Sequence, residues 1–240
     1  MDPVIAFSEA LARYVVEGDD GLNRVRYRAW KASPADCKAL GDFIGHLQAQ
    51  RPSLLPDAER MAFWVNLYNA VTLQVILERY PVRSIREIRS RTLDPRGLIG
   101  PWFERRMVVE GRRLSLSDVE NTILRKEFGD PRIHYAINCA SNGCPNLQPK
   151  VWTGEQLNEA LDTAAASFIA SPRGAWIDEA GRSHISRIFK WYAADFRVDG
   201  GVQSHLLQYA TPTTQVSLSH VGRQSRYDYD WTLNDAEPGC

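Results

Sequence analysis

The stretch DAERMAFWVNLYNAVTLQVILERYP, residues 57–81, constrains the fold more than any other part of the chain. Its apolar residues cover more than one face of a helix, and a helix that is apolar nearly all round is buried in the middle of a domain. Pro81 ends the pattern, because the residue before a proline is biased out of the helical region. The sequence therefore predicts a long central helix around which the rest of the chain packs.

Two amides interrupt this apolar helix, Asn66 and Asn69. A buried amide without partners costs about 1 to 3 kcal/mol, so each must find hydrogen bonds. Asn66 lies midway along the helix, and we predict that it points at the irregular segment 134–146. Asn69 is rotated by about 60° from that line, and we expect it to affect stability without touching that segment.

The remaining patterns predict an α+β fold in a single domain, residues 1–240, with a helical N-terminal extension at 1–54. A helix is expected at 33–50, with Ser33 as its N-cap. The sequence MVVEGRRLSL predicts a β-hairpin that turns at Glu-Gly. We expect the central helix to pack on a small antiparallel sheet, an arrangement compatible with residue roles of the papain and transglutaminase class.

Two further patterns bear on candidate site residues. Ser117 is followed three positions later by Glu120, a capping-box pattern that predicts a helix start and gives Glu120 a structural role. The stretch DPRIHYAIN alternates in polarity, which predicts a short strand with His134 and Asn138 on the same face.

Composition excludes several function classes. The chain has 29 basic and 29 acidic side chains, so no global field favours a nucleic-acid partner. No apolar run approaches the roughly 18 residues that a membrane span needs. The N-terminus lacks the basic region of a signal peptide, which leaves the localisation open. No glycine-rich phosphate loop is present, and nothing in the sequence predicts the oligomeric state.

The densest chemistry lies in HYAINCASNGCPN, residues 134–146, which holds His134, Cys139 and Cys144. Four hypotheses remain open for this block: a catalytic thiol, a disulfide or redox pair of the two cysteines, a zinc site on all three residues, and a structural turn in a binding module. A five-residue separation around a glycine can close a disulfide. Zinc needs three or four ligands, and no second ligand pair is spaced for it.

The catalytic hypothesis assigns the nucleophile to Cys139, which ends the predicted strand. His134 is its candidate base, but an extended strand would hold the two side chains about 16 Å apart. A bend before Cys139 is therefore required, or a different base, for which His184 is the best alternative. Glu120 or Asn66 would orient the base.

Backbone N–H groups of the NGCP turn, residues 142–145, would supply an oxyanion hole. Asn66, Asn138 and Cys144 are expected to bind substrate beside the nucleophile.

Several blocks occur together and in one order: FWVNLYNAVTLQVILERYPVRSIREI, LSLSDVENTILR, DPRIHYAINCASNGCPNL, SRIFKWYAADF and YDYDWTLND. This combination resembles the family called domain of unknown function 547 over roughly residues 55–235. Members occur in bacteria, often behind export signals, and in plants behind coiled-coil regions. Members often carry a histidine directly after the glutamate of the Asp-x-Glu block, where this chain has Asn121. If that histidine is the family's base, this chain lacks it.

The sequence thus favours a cysteine-dependent acyl-transfer enzyme of the peptidase, amidase or transglutaminase kind. The alternatives are a non-catalytic module that binds peptides or thiol ligands, and the zinc site. A small molecule or peptide is the expected substrate, and no cofactor is expected. An acidic ligand is conceivable because the chain carries a run of arginines, Arg83, Arg86, Arg89, Arg91 and Arg96.

Overall fold

The computed structural model describes residues 1–89, 100–179, 182–211, 215 and 225–237. Its α-helices are α1 (Pro3–Tyr14), α2 (Tyr27–Lys31), α3 (Pro34–Gln48), α4 (Asp57–Arg79), α5 (Leu116–Asp118), α6 (Ile133–Ala136), α7 (Leu157–Ala170), α8 (Ile188–Trp191) and α9 (Val202–Tyr209). A π-helix, Val119–Phe128, continues α5. Short 3-10 turns lie at Pro52–Leu54, Ile85–Glu87, Pro101–Phe103 and Asp195–Asp199.

The strands of the described residues form three small sheets. They are β1 (Val15–Glu17), β2 (Asn23–Val25), β3 (Arg105–Val109), β4 (Arg112–Ser115), β5 (Ala175–Ile177), β6 (Ser183–Ser186) and β7 (Arg226–Asp228). The pairs β1–β2 and β3–β4 are antiparallel, as is β5–β6, whereas β7 joins β6 in parallel. The α+β class is confirmed, and one of the three sheets is mixed rather than antiparallel.

Helix α4 is the predicted central helix, and buried residues cover its whole circumference. Its main neighbours are α2, α3, α5, α7 and the π-helix. Strands contribute less to its surroundings than helices do, although Arg106 of β3 forms an ion pair with Glu78 of α4 at 2.8 Å. A helix that is apolar all round needs apolar cover on every side, and here helices provide most of it.

One hydrophobic core runs from Phe7 in α1 to Leu233 near the C-terminus. The N-terminal residues share it, because Val25 of β2 donates its N–H to the Asn234 carbonyl at 2.8 Å and accepts from Ala236 at 3.0 Å. This continuity supports the prediction of one domain, which stays a prediction. In the described residues no helix is both long and apolar enough to cross a membrane.

The strand predicted for DPRIHYAIN is wrong: residues Ile133–Ala136 form one turn of α-helix, and Ile137 after it is extended. The segment begins in a turn in which the N–H of His134 donates to the Pro131 carbonyl. All four residues of the turn are buried. Because every side of the segment faces core, its alternating pattern does not distinguish a strand from a helical turn.

The hairpin of β3 and β4 is confirmed, with Glu110 and Gly111 at positive φ in its turn. The following helix starts two residues earlier than predicted. Ser115 is its N-cap, and Asp118 completes the capping box. The assignments of Ser117 as N-cap and Glu120 as capping partner are therefore wrong.

Helix α3 lies at the position predicted for it, with Ser33 as its N-cap, and β5 and β6 form an antiparallel hairpin. Ala180 and Gly181 of that hairpin's turn lie outside the described residues, as do Arg91 and Arg96.

Gly143 fits its place because it has no side chain. A Cβ atom there would lie 2.8 Å from the Asp230 nitrogen and 2.9 Å from its carbonyl oxygen. We predict that Gly143→Ala lowers the free energy of unfolding by about 1 to 3 kcal/mol, because backbone on the opposite side must move. Gly41→Ala in α3 is the control, since no atom lies within 4 Å of the new Cβ. It should raise stability by about 0.5 to 1 kcal/mol. Urea denaturation of both variants measures the difference, and a neutral Gly143→Ala would contradict the tight contact.

Candidate functional site

A tight loop after α6 brings the two cysteines together. Ala140 adopts a left-handed conformation with φ of 60°, which is uncommon for a residue with a Cβ and concentrates at functional sites. Asn138 stabilises this bend, because its Oδ1 accepts the Ala140 N–H at 2.7 Å and its Nδ2 donates to the Pro145 carbonyl at 2.7 Å. Asn138 is therefore a buried clamp that closes the loop over its own backbone.

Asn69 of α4 fixes the start of this loop. Its Nδ2 donates to the Ala136 carbonyl at 2.8 Å, and its Oδ1 accepts the Asn138 N–H at 2.8 Å. Asn66 instead pairs with the backbone of Trp152, donating at 2.8 Å and accepting at 2.9 Å. The prediction that Asn66 holds the 134–146 segment is wrong, and so is the separation of Asn69 from it. The 134–146 segment contacts α4 at Asn69, almost one helical turn beyond Asn66. The periodicity of the sequence does not reveal at which turn of the helix this contact lies.

The sulfurs of Cys139 and Cys144 lie 2.8 Å apart, and both cysteines are free. A disulfide bond would be about 2.05 Å long. The N–H of Cys139 lies 3.1 Å from Cys144 Sγ, and the Tyr229 hydroxyl lies 3.0 Å from it. Ser141 donates to the Tyr229 hydroxyl at 2.9 Å, which leaves the tyrosine proton for sulfur. Donors therefore converge on Cys144.

This arrangement divides the charge unequally between the two thiols. Burial opposes ionisation of Cys144, but the hydrogen bonds from its neighbours outweigh it and lower its pKa. The bond to Cys144, together with burial, raises the pKa of Cys139 well above its ordinary value. These directions make Cys144 the sulfur of the pair that ionises more readily. The assignment of the nucleophile to Cys139 has no support from these pKa directions.

His134 is buried in α6 and has an acidic partner that the sequence did not suggest. Its Nε2 lies 2.8 Å from Oδ2 of Asp195, and its ring stacks on Tyr192 with 4.1 Å between centroids. Arg125 binds both oxygens of the same aspartate, at 2.6 Å and 2.9 Å. Burial opposes ionisation of Asp195, yet its bonds to His134 and Arg125 hold its pKa well below the usual range. The imidazole is thus oriented by an ionised carboxylate.

Asn121 does not take the place of a base in this group. Its Oδ1 accepts from Arg125 at 2.7 Å, and its Nδ2 donates to Ser117 at 3.2 Å. It therefore positions the guanidinium that holds Asp195.

Glu120 is buried and accepts hydrogen bonds from two tyrosines. Tyr68 of α4 donates to its Oε2 at 3.1 Å, and Tyr192 donates to its Oε1. Burial, followed by the nearby carboxylate, raises the pKa of both phenols. Glu120 is therefore held by proton donors rather than by the helix N-terminus.

These groups surround one cavity of about 80 Å³. Its lining comprises Tyr68, Trp102, Glu120, His134, Ile137, Cys139, Cys144, Pro145, Ile188, Trp191, Tyr192, Tyr229 and Trp231. Three tryptophans form one side, with 5.7 Å between the rings of Trp191 and Trp231 and 6.1 Å between those of Trp102 and Trp231. Trp191 is 44% exposed, so this aromatic wall extends to the surface.

The structure brings Cys139, Cys144, His134 and Glu120 to this cavity, with Asn138 supporting the loop below. Asn66 is not part of it. His184 lies elsewhere, between Asp228 at 2.7 Å and Asp178 at 3.2 Å, and so loses its place as the alternative base.

Neither the zinc hypothesis nor the predicted oxyanion hole gains support from the donor geometry. Within the described part of the chain, no three His, Cys, Asp or Glu side chains are grouped to hold a metal. The N–H groups of Asn142, Gly143 and Cys144 donate to the carbonyls of Thr232, Asp230 and Ser141, respectively. They are therefore not free to stabilise an oxyanion.

Sequence analysis missed four residues that complete the site: Asp195, Tyr192, Tyr229 and Ser141. The first three lie in the SRIFKWYAADF and YDYDWTLND blocks. Each of these aromatic blocks contains an acidic or phenolic side chain, which could have marked it as part of a site. The partners of these side chains lie 61 to 90 positions away in the chain. Periodicity carries no information about such pairs.

Fold and cavity together define an α+β protein with a dithiol site beside an aspartate-bound histidine. The model of the family described as "Protein of unknown function, DUF547" matches residues 52–169. This match confirms the family resemblance of the chain and covers the loop with both cysteines, Glu120 and His134. The SRIFKWYAADF and YDYDWTLND blocks lie beyond the matched residues. No curated protein and no solved structure matches the chain.

We predict that Asn69→Leu lowers the free energy of unfolding by about 2 to 4 kcal/mol, because it leaves the Ala136 carbonyl and the Asn138 N–H buried without partners. The same change should alter the alkylation rates of Cys139 and Cys144. Asn66→Leu is the matched control: it also removes two bonds to backbone, but at Trp152, and should leave both rates unchanged. Urea denaturation and alkylation followed by mass spectrometry test the pair. Equal effects on the thiols would contradict the assignment to Asn69.

Proposed function

We propose that the protein is a cysteine-dependent acyl-transfer enzyme. One observation carries the proposal: the half-buried Cys139 sulfur and the imidazole of His134, which is bound to Asp195, line the same small cavity. A nucleophile beside a base that a third group orients is the arrangement that nucleophilic catalysis requires. Asp195 fills the orienting role that the sequence assigned to Glu120 or Asn66.

Cys139 is the nucleophile in this mechanism because it is less buried than Cys144. The Cys139 proton moves to the Cys144 thiolate, whose sulfur lies 2.8 Å from that of Cys139, as the Cys139 sulfur attacks the acyl carbon. That transfer keeps a single negative charge on the pair, whereas loss of the proton to another base would place two like charges side by side. Once Cys139 is acylated, His134 takes this proton from Cys144 and passes it to the leaving amine or thiol, which restores the Cys144 thiolate and leaves the acyl group on Cys139.

The size and lining of the cavity limit what reacts there. Drug-sized ligands occupy pockets of roughly 300 to 1,000 Å³, so a cavity of about 80 Å³ admits only the reacting end of a substrate. The rest of the molecule would lie along the aromatic wall of Trp102, Trp191 and Trp231. Arg86, 5.2 Å from the Trp231 ring centroid, adds a cation at this wall. These contacts favour a peptide or small acyl compound with an apolar group near the scissile bond.

Incubation with a panel of activated thioesters and peptide amides tests the proposal. We expect an acyl adduct on the peptide that carries Cys139, detected by mass spectrometry. Cys139→Ala should abolish the adduct, and His134→Gln should slow turnover by about 10² to 10⁴-fold. Cys37→Ala, which removes a half-buried thiol in α3, is the control and should retain full activity. An adduct that survives in Cys139→Ala would contradict the assignment.

A second function is favoured by the 2.8 Å between two free sulfurs. Thiol–disulfide exchange would join Cys139 and Cys144 while a small disulfide, RSSR, is reduced to two RSH. The Cys139 thiol supplies one proton and the solvent supplies the other, because Cys144 starts as a thiolate.

Oxidised glutathione should then remove two hydrogen atoms from the mass of the variant that lacks the other two thiols, Cys37→Ala with Cys240→Ala, and dithiothreitol should restore them. The midpoint of the exchange in a glutathione redox buffer measures the reduction potential. A single stable glutathione adduct on Cys139, without closure to Cys144, would contradict this second function.

A further inference from the structure

Arg173 lies on the far side of the thiol loop, between α7 and β5. Its guanidinium donates one hydrogen bond to the Cys144 carbonyl and another, at 2.9 Å, to Oδ1 of Asn146. Asn146 in turn accepts the N–H of Asn23 at 2.9 Å. The guanidinium is therefore fixed against the backbone of the residue whose sulfur collects the donors of the site.

This cation has no carboxylate partner in the described residues. Its two hydrogen-bond acceptors are neutral, and its buried Nε has no partner there. Asp20 is the carboxylate that acts on it electrostatically, but Arg24 already binds both oxygens of Asp20, at 2.8 Å and 2.6 Å. Arg106, which is also half-buried, has such partners: it lies 2.8 Å from Glu78 and 3.1 Å from Glu104. A half-buried charge without a counter-charge is costly.

The side chain of Cys144 has the opposite deficit, because it lacks a positively charged partner among the described residues. Cys144 is a buried sulfur that accepts from a backbone N–H and lies within 3.0 Å of a tyrosine hydroxyl. No lysine or arginine side chain lines its cavity. The Arg173 cation therefore binds the carbonyl of Cys144, the residue whose side chain carries the anion. Neither group has another partner of opposite charge in contact with it in the described residues.

We propose that Arg173 is the counter-charge of the Cys144 thiolate and acts as a positioning residue that keeps this sulfur ionised while it fixes the loop. Arg173 does not touch the cavity, so it acts through Cys144 and not on the substrate. The inference depends on thiol chemistry at this site but on neither reaction proposed above. If no compound of the acyl panel reacts, the inference about Arg173 still stands. If the inference about Arg173 fails, the acyl adduct on Cys139 still tests acyl transfer.

Titration of the thiolate by its ultraviolet absorbance tests the proposal in a background that lacks the other two thiols, Cys37→Ala with Cys240→Ala. The first ionisation of the pair should fall near the pKa of about 6 of Cys144. Arg173→Gln retains a donor for the Cys144 carbonyl without the charge, and should raise the midpoint by about 1 to 3 pH units. Arg173→Lys keeps the charge and should recover most of the shift. Arg106→Gln, the control for a half-buried arginine with carboxylate partners, should leave the midpoint unchanged.

A midpoint that is equal in Arg173→Gln and the parent would overturn the proposal. Equal shifts in Arg173→Gln and Arg173→Lys would overturn it as well, because they would assign the effect to packing rather than charge. If Arg173→Gln does not fold, Arg173→Lys alone decides whether the effect comes from charge or from packing. A midpoint within about half a pH unit of the parent supports the counter-charge, and a rise of about one unit or more contradicts it.

Discussion

Two hydrogen bonds from one buried amide connect the fold to the site. Asn69 projects from the central helix α4 and binds the Ala136 carbonyl and the Asn138 N–H. These bonds satisfy backbone that leaves the helical turn of α6 and enters the loop, where no regular structure supplies partners. Asn138 then closes the loop by binding its own backbone. Without this chain of amides, the sulfurs of Cys139 and Cys144 would have no fixed separation.

The charges of the site are arranged in two layers around the cavity. Nearest to it lie titratable groups: the dithiol, His134 and Glu120. Behind them lie two arginines. Arg125 binds both oxygens of the aspartate that orients His134, and Arg173 binds the loop at the Cys144 carbonyl. An opposite charge or a hydrogen-bond donor beside a buried group favours its ionised form, and both arginines lie one contact behind the titratable groups of the cavity.

Tyrosines connect these layers. Tyr229 accepts a hydrogen bond from Ser141 and lies within reach of both sulfurs, while Tyr192 stacks on His134 and donates to Glu120. Both residues lie in the last quarter of the chain, on segments that follow β7 and α8. The C-terminal part of the chain therefore completes a site whose cysteines, histidine and glutamate all come from the family region at 52–169.

The sequence alone determined the long central helix, the β3–β4 hairpin, the α+β class and the block that holds the thiols. These features depend on local periodicity, turn residues and composition, which act over a few positions of the chain. The sequence did not determine that His134 lies in a helical turn, because a segment that is buried on all sides shows no periodic difference between a buried and an exposed face. Only the tertiary structure decided that Asn69 rather than Asn66 holds the loop, and that Asp195 pairs with His134. Both choices depend on which distant segment crosses a helix at which turn, and packing of the whole core fixes that geometry.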